Sequence, residues 1–178
     1  MESLEFSLLF WIQGLRTPLL DQVMVWLSFL GNAGWLWIAA GAGLFCTKKT
    51  RMCGTAVLLS LAAGFLIGNC LLKNGIARSR PCWIIDRDIQ LLISIPKDFS
   101  FPSGHTLAGI EASLSILFFY RRWGTAALIL AVLIGFSRLY LFVHFPTDVL
   151  AGAVLGTGIA VFVHWLVRTK LSKRKYFL

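Results

Sequence analysis

Apolar runs long enough to cross a bilayer recur along this chain with short basic turns between them, and no other feature restricts its fold as strongly. A transmembrane helix needs roughly 20 predominantly apolar residues, so a chain of 178 residues has room for about five. The runs fall at about 22–46, 53–72, 105–120, 124–142 and 149–167. Lipid offers no hydrogen bonds to the backbone, so each run has to satisfy its own N–H and C=O groups as a helix. The expected fold is an all-α integral membrane bundle of about five transmembrane helices, a single domain over residues 1–178. Composition agrees: 57% of residues are hydrophobic, against about 45–50% in ordinary soluble domains.

Residues 3–15 are apolar but too short to span, and they read as an N-terminal amphipathic interfacial helix with Trp11 at head-group depth. Gly31, Asn32 and Gly34 are expected to bend or break the first span. Glu2 and Glu5 stand where a signal peptide carries basic residues, so a cleaved signal is not expected. Cys46, Cys53, Cys70 and Cys82 lack the spacing of a zinc site or a disulfide framework and read as packing residues.

The formal charge of +9 is distributed as a membrane protein distributes it, so lipid head groups and phosphate substrates, rather than nucleic acid, are the expected partners. With five crossings, the turns at 47–52 and 121–123 and the C-terminal tail share one side. That side holds ten of the seventeen Lys and Arg residues and none of the eight acidic ones. The positive-inside rule makes it cytoplasmic, including the tail with Arg168, Lys170, Lys173, Arg174 and Lys175. The polar stretch 73–104, the segment 138–148 and the N-terminus then face outward from a multi-pass protein of the cell membrane.

All the chemically suggestive residues fall on that outer boundary. Lys73 is followed after six residues by Arg80-Pro81, and Pro102-Ser103-Gly104-His105 opens the third span. Ser137-Arg138 is followed by His144 and, four positions later, Asp148. Lys73, Arg80 and Arg138 put cationic groups around one pocket, the guanidinium forks matching phosphate oxygens and the ammonium adding a compact charge. Gly104 lets the backbone approach closely at a helix N-terminus, a natural anion site, and Ser103 supplies a hydroxyl. A neutral imidazole at His144 can attack phosphorus if Asp148 holds its other nitrogen, and His105 can act as the proton donor. No carboxylate cluster indicates a metal site, and no cofactor is expected.

Together these motifs resemble the signature of the type 2 phosphatidic acid phosphatase superfamily: Lys-x6-Arg-Pro, Pro-Ser-Gly-His and Ser-Arg-x5-His-x3-Asp. All three parts are present between residues 73 and 148. The resemblance implies that His144 is the nucleophile, Asp148 its partner and His105 the acid, with Lys73, Arg80, Ser103, Gly104 and Arg138 binding phosphate. It also implies metal-independent hydrolysis of a lipid phosphate or diphosphate, such as undecaprenyl diphosphate, phosphatidylglycerol phosphate or phosphatidate. A phosphotransferase and a non-catalytic lipid-phosphate-binding protein are the alternative classes. Transport is disfavoured, because the ionisable residues gather at one boundary instead of tracing a path across. The related vanadium haloperoxidases share the anion pocket but not the apolar spans.

Glu111 lies inside the third span, about 9 Å along the helix from His105. An intramembrane carboxylate is costly, so it either tunes the site or lines a substrate tunnel, or is a structural group held by hydrogen bonds. His164, near the inner end of the fifth span, reads as a packing residue, and Trp83 as a head-group contact.

Overall fold

A computed structural model describes residues 2–85 and 89–171. Asp86, Arg87 and Asp88 of the outer polar stretch, and Lys173, Arg174 and Lys175 of the basic tail, lie outside the described residues. The secondary structure of the described residues is helical, with no strand among them: α1 (Glu2–Gln13), α2 (Pro18–Gly31), α3 (Trp35–Cys46), α4 (Arg51–Gly64), α5 (Pro81–Ile84), α6 (Gly104–Leu117), α7 (Arg121–Tyr140) and α8 (Pro146–Leu166). Beyond Gly64, α4 widens into π-type turns over Phe65–Leu72 and closes with one α-turn, Lys73–Ile76, ended by Ala77 in the left-handed region (φ 50°). Four segments are long and apolar enough to cross a membrane: Pro18–Cys46, Arg51–Ile84, Arg121–Tyr140 and Pro146–Lys170.

The remaining apolar run makes α6, and it differs from the others. With 14 residues it is about 21 Å long, less than the roughly 30 Å hydrocarbon thickness. It is instead the axis of the bundle, packed against α4, α7 and α8, with Leu107, Ile110, Ala112 and Ile116 in the core. Enclosure also explains how Thr106, Glu111, Ser113 and Ser115 can sit at membrane depth, since all four are buried in protein rather than facing lipid. Ser115 meets Ser60 of α4 at 3.1 Å. α8 approaches α6 closely through Gly152 and Gly156: a Cβ there would stand 2.8 Å from the Ser103 carbonyl oxygen and 2.9 Å from that of Leu107.

Local chemistry sets the helix boundaries. The first span begins at Pro18, not Gln22: Thr17 accepts a hydrogen bond from Leu20 N (3.3 Å), Pro18 takes the first turn, and the acidic Asp21 is met by Arg16 and by the Tyr140 hydroxyl (2.6 Å). The span breaks at Asn32–Gly34, where Ala33 and Gly34 are left-handed (φ 50° and 67°). The fifth run becomes helical at Pro146, three residues earlier than hydropathy alone places it, because the Asp148 carboxylate reaches back to the Phe145 N–H (2.8 Å).

α1 packs on the α7–α8 turn, at the end of the bundle that carries Arg138 and His144. Leu4, Leu8 and Trp11 are exposed along one side, while Leu9 and Ile12 are buried on the other, and Phe6 packs edge-on to Phe145 (5.4 Å between centroids). His164 stacks against Phe118 and Phe119 at the far end of α8, with centroids 4.6 and 5.2 Å away. Trp83 donates to the Pro96 carbonyl (3.1 Å), fastening the outer loop to α5. All four cysteines are free thiols.

Gly152→Val should force α8 off α6 at the Ser103 turn, costing about 1–3 kcal/mol of stability. The checks are a lowered thermal-unfolding midpoint in detergent, and wild-type behaviour for Gly158→Val, whose Cβ would meet nothing within 4 Å.

Candidate active site

One end of each of α4, α6, α7 and α8 converges on the same region, so each motif arrives on a helix terminus. Lys73 is on the last turn of α4, Arg138 on the last turn of α7 and His105 on the first turn of α6. His144 sits in the tight turn joining α7 to α8, and Asp148 on the first turn of α8. Ser103 N donates to the Asp148 carbonyl oxygen (3.1 Å), which locks the Pro-Ser-Gly-His turn onto α8.

His144 is almost wholly buried (1% exposed), and both ring nitrogens are engaged. Arg80 Nη1, a donor only, lies 3.1 Å from Nε2, so Nε2 carries no proton and Nδ1 does. Nδ1 faces Ser100 Oγ at 3.3 Å and Asp148 Oδ2 at 3.5 Å. Ser100 in turn donates to Asp148 Oδ2 (2.5 Å), so the hydroxyl bridges ring and carboxylate. Burial pulls the His144 pKa down to about 3; Asp148 opposes this, and the Arg80 and Arg138 charges add to it. The imidazole is therefore neutral at ordinary pH.

The cations are held apart by an acid that the sequence patterns did not single out. Asp98 accepts from Lys73 Nζ (2.5 Å) and from Arg80 Nη2 (2.8 Å), and its backbone oxygen accepts from Arg80 Nε (2.7 Å). Burial raises the Asp98 pKa, but the Lys73 hydrogen bond and the charges of Arg80 and Lys73 outweigh it and hold the group at about 2. Its side chain is still 54% exposed, at the mouth of the site. Arg138 donates to Ser28 of α2 and keeps a buried Nε without a partner.

Lys73, Arg80, Gly104, His105, Arg138 and His144 all line one cavity of about 940 Å³. Ser103 and Asp148 stand behind its wall, fully buried, with Ser103 Oγ accepting from Thr106 (3.1 Å). Glu111 lines the same cavity from deeper in α6, pressed against Gly64, with Oε2 unpartnered. The Asn32 side-chain oxygen Oδ1 accepts from His105 Nε2 (3.0 Å), which leaves Nδ1 for proton exchange. Away from the cations the lining is apolar, with Phe29 and Ile38 on one side and Leu58, Leu61 and Phe65 of α4 on the other.

Sequence reasoning missed Ser100, Asp98, Asn32 and the role of Arg78, whose guanidinium meets the second oxygen of Asp148 (2.7 Å). The sequence offered only weak signals: one of three acids in the 73–104 stretch, a serine two positions after it, and an arginine two positions before Arg80.

The imidazole of His144 should remain neutral with its proton on Nδ1 from about pH 8 down to about pH 5, readable by ¹⁵N NMR of histidine-labelled protein. Its folded pKa of about 3 lies below the unfolded value of about 6.5, so the unfolded chain takes up this proton first. This site therefore withdraws stability as pH falls through that window, and His144→Gln should flatten the acid slope of the unfolding midpoint.

The sequence pattern of the PAP2 superfamily matches residues 54–172, two thirds of the chain. An undecaprenyl-diphosphatase of Sulfolobus acidocaldarius is 34% identical over 142 residues, covering 79% of this chain and 68% of that one. Phosphatidylglycerophosphatase B of Bacillus subtilis is 35% identical over 156 residues, covering 80% and 72%. The crystal structure of a transmembrane PAP2-type phosphatidylglycerolphosphate phosphatase from Bacillus subtilis superposes with a TM-score of 0.73 at 30% identity, over 99% of this chain and 89% of that one. With this helical bundle, these relatives and the gathered motifs, the chain belongs to the PAP2 superfamily and is a multi-pass membrane phosphatase.

Proposed function

We propose that this protein hydrolyses a lipid phosphate or diphosphate in two metal-independent steps, through a phosphohistidine on His144, at the outer face of the membrane. The observation that carries this reading is the state of His144: neutral, unprotonated at Nε2, backed by Asp148, and opening on a cavity that is cationic at one end and apolar beyond. Asp98 marks where the phosphate oxygens go, since an entering phosphate takes over its contacts to Lys73 and Arg80.

In the first step the Nε2 lone pair forms the N–P bond as the P–O bond to the lipid breaks, and His105, protonated as the anionic substrate enters, passes its Nδ1 proton to the departing oxygen. The phosphorylated ring keeps its Nδ1 proton and becomes cationic, a charge that Asp148 balances at 3.5 Å. In the second step a water oxygen attacks phosphorus, His105 takes the water's proton, and the N–P bond breaks to release phosphate and restore the neutral ring. Lys73, Arg80 and Arg138 stabilise the charge on the transferring group, the work that metal ions do in other phosphoryl transfers. The apolar lining between α2–α3 and α4 lets lipid tails stay in the bilayer while the head group reaches His144. Undecaprenyl diphosphate, phosphatidylglycerol phosphate and phosphatidate, the lipids that the family resemblance implies, are the substrates proposed, and the names of the relatives support the first two.

Phosphate release from these lipids in detergent with EDTA present is expected for the wild type and lost in His144→Ala, by about 10³-fold or more. Rapid quenching of the wild type with terminally ³²P-labelled lipid should trap an acid-labile label that is absent in His144→Ala. Intact lipids in every case would move the transferase or binding-protein reading ahead. For orientation, Lys97→Cys in a cysteine-free background should react with a membrane-impermeant maleimide in intact cells; labelling only after lysis would reverse it.

A further inference from the structure

Arg78 lies inside the Lys73–Pro81 motif yet does not line the cavity, so it has no phosphate to bind. Its guanidinium is instead engaged through both terminal nitrogens on the far side of Asp148. Nη1 donates to Asp148 Oδ1 (2.7 Å) and Thr147 Oγ1 (2.6 Å), and Nη2 donates to Glu5 Oε2 (2.6 Å). The fork lies over the Phe145 ring, 4.1 Å from its centroid. The Arg78 backbone oxygen accepts from Ser100 N (2.8 Å). Arg78 thus touches both groups that face His144 Nδ1, the carboxylate through its side chain and the bridging serine through its backbone.

Glu5 completes the array from a separate element. Its second oxygen accepts from Thr147 N (3.1 Å) and Thr147 Oγ1 (2.7 Å), pinning the first turn of α8 to α1. Glu5 is turned inward, 9% exposed, while Leu4, Leu8 and Trp11 of the same helix are exposed on the opposite side. That apolar stripe is the kind that sits in the interfacial layer of a membrane.

We propose that Arg78 and Glu5 are positioning residues for the His144–Asp148 pair, and that the interfacial helix α1 is therefore part of the catalytic apparatus. The inference rests on His144 being the nucleophile. Asp148 has only four lone-pair directions to fill: Oδ2 serves Ser100, Phe145 N and His144, and Oδ1 serves Arg78. Without the guanidinium the carboxylate is free to rotate, Ser100 loses its fixed acceptor, and the Nδ1 proton loses its direction. A neutral substitution at Glu5 leaves Arg78 tied to Asp148 and Thr147 alone, a smaller loss.

The test uses the full-length protein in mixed micelles containing phosphatidate, phosphatidylglycerol phosphate or undecaprenyl diphosphate, whichever the wild type turns over fastest. Arg78→Gln is expected to lower kcat by about 10–100-fold, the cost of misplacing a reacting group from a distance, with KM unchanged. Glu5→Gln should fall between Arg78→Gln and wild type, again in kcat alone. ¹⁵N NMR supplies a second readout: His144 should titrate at higher pH in Arg78→Gln than in wild type, because Asp148 no longer shares its charge with a guanidinium. The other groups facing His144 are unchanged by the substitution: Arg80 before α5, Arg138 on α7, His105 on α6 and Ser100 in the loop. Wild-type kcat in both variants, with His144→Ala inactive, would overturn this inference and leave the proposed mechanism standing. Activity in His144→Ala would sink both. If Arg78→Gln does not fold, Glu5→Gln decides alone: an unchanged kcat refutes the role, and a lowered kcat at constant KM supports it.

Discussion

A carboxylate with no exposed surface has to be answered oxygen by oxygen, and in this protein the answers to Asp148 organise one end of the bundle. Its side chain ends the α7–α8 turn by capping Phe145 N, holds the loop through Ser100, and takes Arg78 from the α4 end. Its backbone oxygen fixes Ser103 at the start of α6. Segments far apart in sequence thus meet on one residue, and His144 is oriented by the same contacts. Removing a single partner would leave a buried charge partly unmet, a larger penalty than the net worth of the bond itself.

The bilayer accounts for the rest of the architecture. Helices that face lipid carry large apolar residues outward, such as Trp26 and Phe29 on α2, Val132 on α7 and Val154 and Phe162 on α8. α6 faces protein and is released from that demand, which is why it can be short, rich in small polar residues, and carry Glu111. Because lipid gives no hydrophobic push between helices, close approach replaces it: Gly54 of α4 meets the backbone of α3, and Gly152 and Gly156 of α8 meet that of α6. The break at Asn32–Gly34 then does two jobs. It exposes Asn32 to His105, and Gly31 beside it leaves room for the imidazole, where a Cβ would stand 2.6 Å from the ring.

Features that depend on a residue's own character were legible in the sequence. Apolar runs announced helices because lipid leaves them no other backbone solution. Lys73, Arg80, His105, Arg138 and His144 could be assigned to one boundary because charges do not rest at membrane depth, and one cavity gathers them. Features that depend on a distant partner were hidden. Asp21 interrupts hydropathy and hid the start of α2, although Tyr140, 119 positions away, satisfies it. Glu5 read as a terminal charge until Thr147 and Arg78 were beside it. Asp98 and Ser100 sit in an irregular stretch without periodicity, so nothing local marks them. The length of α6 was overstated for a related reason: its apolar run continues through Phe118 and Phe119, but those rings turn aside to enclose His164.

The contacts of Asp98 have a consequence for selectivity. A carboxylate tethered to its own chain competes with incoming anions at an effective concentration on the order of millimolar, without being used up. Bulk membrane phospholipids are phosphodiesters, with one negative charge on the phosphate and ester groups on two of its four oxygens. A terminal phosphate or diphosphate brings more charge and more free oxygens to Lys73 and Arg80 than the aspartate it displaces. On the function proposed above, the internal anion raises the requirement for entry and favours a head group with more charge and more free oxygens than a phosphodiester.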